Sequence, residues 1–207
     1  MPTLTMFGNQ MWSILDDFVL TSIPMFILLG EILVRSGVTD RMYAALSDWI
    51  RRWPGGLLHT NIGACGMFSA VSGSSVATAA TIGTVALPSM KRHGYSERLA
   101  LGTIAAGATL GILIPPSINM IIYGSMANTS IGRLFLAAIV PGLLLIALFM
   151  IFVAVVCALR PALGGTEMPA VPLKERLARL KDLLPPLVIF AVVMGSIYTG
   201  WATPTES

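Results

Sequence analysis

The stretch GLLHTNIGACGMFSAVSGSSVATAATIGTVALPSM, Gly56–Met90, decides the fold. It is about 35 residues long, almost uncharged, and has Ser72-Gly73-Ser74-Ser75 at its middle. A bilayer core takes about 20 residues of helix to cross. Two crossings and a turn need more residues than the stretch supplies, and as one straight span it is far too long. A re-entrant helical hairpin fits: two half-length helices whose tip, rich in Ser and Gly, stops near the membrane midplane. The flanking charges agree, because Arg51 and Arg52 precede the stretch and Lys91, Arg92 and Arg98 follow it. Positive flanks belong on the cytoplasmic side, and a hairpin that returns has both ends on one side.

Downstream, the polar link Lys91–Arg98 leads into an apolar segment, Leu99–Ala127, interrupted by Gly111-Ile112-Leu113-Ile114-Pro115-Pro116-Ser117. Consecutive prolines remove two backbone donors and clash with the preceding turn, so a helix must unwind there. Unwound backbone at membrane depth is tolerated only where protein buries it or where it lines a cavity. Leu134–Leu159 reads as a full span, Arg160–Asp182 as a basic loop with Arg160, Lys174, Arg176, Arg179 and Lys181, and Leu183–Gly200 as the start of another span. Upstream, a hydrophobic helix is expected over Phe18–Val34, with Asp16 and Asp17 before it and Arg35 after it. Thr39–Trp53 is too charged to cross. Its Met42, Leu46, Trp49, Ile50 and Trp53 recur at helical spacing opposite Arg41, Asp48, Arg51 and Arg52. That pattern predicts an interfacial amphipathic helix with tryptophan anchors; the alternative is an ordinary helix on the protein's own surface. With residues 35–53, 91–98 and 160–182 inside, the outside segments 1–17, 127–133 and 201–207 carry only Arg133 as a basic residue.

Composition points the same way. Hydrophobic residues make up 55% of the chain and charged ones 11%, with a mean hydropathy of +0.80. A soluble domain carries roughly 25% charged residues. The alternating strands of a membrane barrel are absent, which leaves helices as the spanning structure. The expected class is all-α and integral to a membrane. The net charge of +3 does not indicate nucleic-acid binding, because the basic residues sit in short clusters between apolar blocks, where the positive-inside rule puts them. Cys65 and Cys157 lie far apart inside apolar segments and read as small buried hydrophobes. The first residues lack a basic region followed by a short apolar core, so no signal peptide is expected.

The hairpin tip and the broken helix converge chemically. Each offers backbone carbonyls, half-helix ends and small hydroxyls in a low-dielectric region. Carbonyl and hydroxyl oxygens suit a dehydrating sodium ion, and half-helix N-termini suit a carboxylate. Discontinuous helices at the midplane are the sequence pointer to a transporter binding site. Packing by small residues is the alternative use of such motifs.

Several stretches resemble the large membrane subunit, the M or DctM-type permease, of tripartite ATP-independent periplasmic (TRAP) transporters. They are Ile23–Glu31 (IPMFILLGE), Gly55-Gly56-Leu57, Ser72–Ala77 (SGSSVA), Gly111–Ser117 (GILIPPS), Ser130–Phe135 (SIGRLF), Pro141-Gly142 and Thr203–Glu206 (TPTE), and they stand in the family's order. The resemblance implies an elevator-type transporter half. Residues 1–55 would form a scaffold helix plus the interfacial helix. Residues 56–129 would form part of the transport domain, with hairpin 56–90 and broken helix 99–127. Residues 130–207 would form further spans around basic loop 160–182. It implies sodium as the coupling ion, held by Ser72, Gly73, Ser75, Gly111, Ile114 and Pro115. Ser74, Ser75, Ser117 and Asn119 would meet an organic-acid substrate such as a C4-dicarboxylate or sialic acid. The implied partners are a small Q-type membrane subunit and a periplasmic P-type binding protein, in the bacterial inner membrane. Family members run to about twice this length, so the chain is expected to be an N-terminal-half fragment lacking a second hairpin and a second broken helix.

Other residues receive simpler readings. Glu31 lies inside the first span, where an ionisable group is a functional suspect, but Arg35 four residues on makes a helix-end ion pair an equal reading. His93 is expected to be solvated in its charged link, and His59 to cap or anchor the hairpin. Asn128, like Asn119, flanks the broken helix. Three other functions fit parts of the pattern. An intramembrane serine hydrolase would need a histidine base in a later span, and none is there. A scaffold or assembly subunit without a site of its own is the second. A related sodium/anion symporter is the third.

Overall fold

The computed structural model describes residues 5–8, 11–12, 18–165 and 171–203. Asp16 and Asp17, and Pro204–Glu206 of the terminal motif, lie outside the described residues. After a 3-10 turn at Phe18–Thr21, helix α1 runs Ser22–Arg35, α2 Val38–Ile50, α3 Leu57–Ser72, α4 Ser75–Arg92 and α5 Glu97–Ala108. Then come α6 Leu110–Leu113, α7 Ile118–Met126, α8 Ile131–Leu159, α9 Leu173–Arg179 and, after a 3-10 turn at Leu180–Leu183, α10 Leu184–Tyr198. No strand occurs among the described residues. The protein is an all-α membrane protein. The segments Glu97–Met126, Ile131–Leu159 and Leu173–Tyr198 are long and apolar enough to cross a bilayer, the first of them with the proline break inside it.

Residues 56–92 fold as two antiparallel helices, α3 and α4, joined by Gly73-Ser74. Neither helix reaches the 20 or so residues of a full crossing, as a hairpin that turns back requires. Helix α3 is the centre of the molecule, with Leu57, Leu58, Ile62, Ala64, Cys65, Phe68 and Val71 all buried. A helix apolar on every side is buried on every side, and α3 packs against α1, α2, α4, α5, α6, α8 and α10. Small residues set how closely it does so. A Cβ on Gly107 of α5 would stand 2.9 Å from Cys65 Cβ and Sγ, so α5 crosses α3 at a point where only glycine fits. Helix α8, only 17% buried over its most apolar window, turns Leu136, Val140, Leu143, Leu144, Ile151, Phe152 and Val155 outward. Both cysteines are free and buried, as their apolar settings predicted.

One buried polar network ties the hairpin to its neighbours. Tyr43 Oη on α2 donates to Asn61 Oδ1 at 2.7 Å, and Asn61 Nδ2 donates to Thr103 Oγ1 at 3.0 Å and to Met90 Sδ at 3.1 Å. Thr103 passes its own proton to the Ala100 carbonyl at 3.0 Å. A single asparagine on α3 thereby fixes the register of α2, α4 and α5, which a purely apolar contact would leave free to slide.

The reading of α2 needs correction. Asp48, which its spacing sets opposite the apolar stripe of this helix, is 1% exposed, while Trp49 and Trp53 point outward at 40% and 54%. Helix α2 instead buries Met42, Tyr43 and Ala45 against the hairpin. Asp48 can be buried because it pairs with Arg51 and, across the chain, with Arg179 Nη1 at 2.7 Å. A buried charge is tolerable when so paired. Helix α1 meets α2 at a 69° bend across Ser36-Gly37, where Gly37 takes a left-handed φ of 70°. Glu31 and Arg35 form the helix-end pair at 2.6 Å on the exposed face. His59 anchors the base of α3, its Nε2 2.9 Å from the Pro54 carbonyl. His93, partly exposed, has its Nδ1 2.7 Å from the Ser89 carbonyl at the end of α4.

Candidate functional site

The hairpin tip is built from three ordinary devices placed in succession. Gly73 ends α3 in the left-handed region at φ 61°, its N–H donating to the Ser69 carbonyl at 2.9 Å. Ser74 is then extended, and its Oγ accepts from Ala77 N–H at 3.3 Å, the usual N-cap of the returning helix α4. Thr78 closes the arrangement from inside. It gives its one hydroxyl proton to the Ser74 carbonyl at 2.7 Å. The hydroxyls of Ser69 and Ser72, each 3.3 Å from Thr78 Oγ1, must therefore donate to it. Ser69, Ser72 and Thr78 are all buried, so the tip rests on a closed hydroxyl cluster. Gly30 of α1 backs it, since a Cβ there would lie 3.2 Å from Ser72 Cβ.

The break follows from its two prolines. Helix α6 stops at Leu113, Ile114 is extended, the Pro115–Pro116 bond is cis, and Ser117 is extended ahead of α7. In a continuous helix the N–H groups of residues 115 and 116 would serve the carbonyls of Gly111 and Ile112, and proline has none. Ser117 Oγ supplies the second missing donor, bonding the Ile112 carbonyl at 2.8 Å. The Gly111 carbonyl keeps no i+4 donor.

These two irregular segments lie against each other. Ile118 N–H, the first of α7, donates to the Gly73 carbonyl at 3.1 Å. A Cβ on Gly73 would meet the Pro116 carbonyl oxygen at 2.8 Å, and one on Gly111 would meet Ser75 N at 2.7 Å and Ser74 O at 3.0 Å. Gly73, Ser74 and Ser75 of the tip thus meet Gly111, Pro116 and Ile118 of the break in one backbone-to-backbone junction, with Ser72, Pro115 and Ser117 next to it in the chain. The C-termini of α3 and α6 and the N-termini of α4 and α7 all end at it. Carbonyl-rich, partly negative ends and N–H-rich, partly positive ends are brought to one place.

The remaining expected site residues fall less centrally. The Ile114 side chain packs away from the tip, where Cβ atoms on Gly142 and Gly66 would lie 3.4 and 3.6 Å from it. Ser117 is fully buried, with its proton spent on Ile112. Ser74 and Ser75 are partly exposed, and Asn119 and Asn128 are exposed. Sequence reasoning passed over Thr78, Ser69 and Gly30. Thr78 was detectable as a hydroxyl one helical turn beyond the Ser74 cap; Gly30 was not, because its partner Ser72 is remote in sequence.

The sequence profile of the family described as "Tripartite ATP-independent periplasmic transporter, DctM component" matches residues 1–207. A C4-dicarboxylate TRAP transporter large permease protein of Pseudomonas aeruginosa is 38% identical over 93% of this chain and 44% of its own length. A sialic acid TRAP transporter large permease protein of Vibrio cholerae is 35% identical over 97% of this chain and 46% of its own. An ectoine TRAP transporter large permease protein of Halomonas elongata is 37% identical over 91% of this chain and 43% of its own. The chain spans less than half the length of these curated relatives. A profile match along the whole chain, on a helical hairpin joined to a broken helix, places this protein in the DctM component family of tripartite ATP-independent periplasmic transporters.

Proposed function

We propose that this chain is part of the permease subunit of a sodium-coupled secondary transporter that imports organic acids across the bacterial inner membrane. The observation that carries the reading is the junction of hairpin tip and broken helix, held by the Gly73 carbonyl and Ile118 N–H. Sodium is a hard cation, and the junction's donor set is oxygen throughout. The Gly111 carbonyl, deprived of its donor by Pro115, has lone pairs to give. Carbonyls of Ser72, Gly73, Ile114 and Pro115 and the partly exposed Ser75 hydroxyl complete the proposed sodium ligands. The N-termini of α4 and α7 present N–H groups and positive dipole ends to a carboxylate, with the Ser74, Ser75 and Asn119 side chains beside them. Ser117 acts through its backbone, because its hydroxyl holds Ile112. The relatives' names give the substrate class as C4-dicarboxylates, sialic acid or ectoine. A periplasmic binding protein would deliver the substrate and a small membrane subunit would complete the permease. The junction moves as one body with the hairpin in an elevator-type cycle.

The test is uptake in proteoliposomes holding the full-length permease, its small subunit and its binding protein, with and without a sodium gradient. Sodium-driven accumulation of an organic acid, lost in Ser75→Ala, is the expected result. Uptake indifferent to sodium overturns the coupling, and uptake indifferent to Ser75 removes the side chain from the site. A chain that only assembles the complex would leave transport unchanged under every substitution at the junction that preserves folding.

A further inference from the structure

The basic segment between α8 and α10 does more than satisfy topology. Arg176 of α9 is 7% exposed, its Nε donates to the Val171 carbonyl at 3.0 Å, and its Nη2 is buried without a hydrogen-bond partner among the described residues. Arg179, one turn on, reaches Asp48 of α2 at 2.7 Å, and Arg51 pairs with the same carboxylate. Arg176 stands one turn before Arg179 on α9, which packs against α2, and burial, followed by the charges of Arg176 and Arg179, lowers the pKa of Arg51 from its ordinary value. Among the described residues Asp48 is the carboxylate paired with Arg51 and Arg179, while Arg176 Nη2 meets no acceptor, and a buried guanidinium nitrogen without one is costly.

The same segment shows where such an acceptor comes from. Leu173, Leu177, Leu180 and Leu184 recur at helical spacing and are all strongly exposed. On the register of α9, Arg176 and Arg179 flank the leucine stripe on one side and Lys174 on the other, while Glu175 falls behind it. The stripe runs on into the apolar span that ends at Tyr198. Exposed leucines leading into a span, rimmed by Arg and Lys, describe a segment lying at the cytoplasmic bilayer surface. We propose that Arg176, with Arg179 and Arg51, binds the headgroup phosphate of an anionic phospholipid whose acyl chains lie along Leu173, Leu177, Leu180 and Leu184. Asp48 holds two of the guanidiniums in place, so the lipid joins α2 to α9 and braces the base of the hairpin.

Lipid-stripped full-length permease in detergent tests this, by native mass spectrometry and thermal unfolding with phosphatidylglycerol, phosphatidylcholine or inorganic phosphate added. The wild type should retain phosphatidylglycerol in preference to phosphatidylcholine, and unfold at higher temperature with it but not with inorganic phosphate. Arg176→Gln should weaken retention of phosphatidylglycerol about tenfold, the loss expected for one charge-assisted hydrogen bond. Lys91→Gln, in the last turn of α4, should leave it unchanged. Arg179→Gln, at a side chain 45% exposed, repeats the test if R176Q does not fold. Equal retention of the two lipids overturns the proposal, as does phosphatidylglycerol binding that survives both arginine variants. Stabilisation by inorganic phosphate alone would make this a free-anion site instead. Indifference to every added anion would mean that an acidic group elsewhere in the full-length protein fills it.

Discussion

Replacing Gly111 by alanine puts a methyl group where the hairpin tip already is. The new Cβ would stand 2.7 Å from Ser75 N, 2.8 Å from Ser74 C and 3.0 Å from Ser74 O, all of them backbone atoms that no rotamer change can move. Restoring an ordinary contact of 3.4 Å requires the tip and the break to part by about 0.7 Å. The Gly73–Ile118 hydrogen bond, now 3.1 Å, would then exceed hydrogen-bonding distance. Overpacking of this kind costs about 1–3 kcal/mol, and the lost bond adds ~0.5–1.5 kcal/mol. The expected total is roughly 2–4 kcal/mol, falling on the segment proposed to hold sodium. Gly102→Ala is the matched control, because nothing lies within 4 Å of a Cβ there and helix propensity favours alanine by about 1 kcal/mol. Both variants are to be compared in the full-length permease by thermal unfolding and by the sodium dependence of uptake. G111A should unfold earlier and need at least about tenfold more sodium for half-maximal uptake, while G102A should unfold no earlier than the wild type and keep its sodium dependence. If G111A keeps the wild-type unfolding temperature and sodium dependence, the tip and the break are not in the contact described.

Four further outcomes follow from the same geometry. Thr78→Val takes the acceptor from the buried Ser69 and Ser72 hydroxyls, while the Ser74 carbonyl keeps the residue-78 N–H, so the permease should lose about 2–3 kcal/mol of stability, recovered in Thr78→Ser, by thermal unfolding. Asn61→Leu strands the Tyr43 hydroxyl in the core and takes a donor from Thr103, and should cost about 2–4 kcal/mol, with hydrogen exchange rising in α2 and α5 as well as in α3. Asp48→Asn leaves Arg51 buried beside Arg176 and should cost about 2–4 kcal/mol, discounted from a fully buried pair because Arg179 is half in solvent. Glu31→Gln breaks only an exposed pair and should change stability by less than ~0.5 kcal/mol in the same assay.

The order of elements was legible from length and charge alone. The uncharged run Gly56–Met90 is too short for two crossings and too long for one, and the structure divides it at Gly73-Ser74. The proline pair dictated a break because missing N–H groups and ring clashes are local covalent facts. The Ser74 cap and the left-handed Gly73 are likewise local, each needing only its immediate neighbours. Tertiary structure decided what is remote in sequence. Periodicity set Asp48 opposite the apolar stripe of its helix, and only the fold supplied Arg179, 131 residues away, to let it be buried. The same holds for the candidate site. The sequence named the tip and the break separately from their chemistry. That Gly111 meets the Ser74–Ser75 peptide, that Gly73 accepts from Ile118, and that Ser117 spends its hydroxyl on Ile112 rather than facing outward were set by packing. A membrane segment must satisfy its own backbone, which makes its breaks readable in one dimension; which break meets which depends on contacts that exist only once the helices have packed.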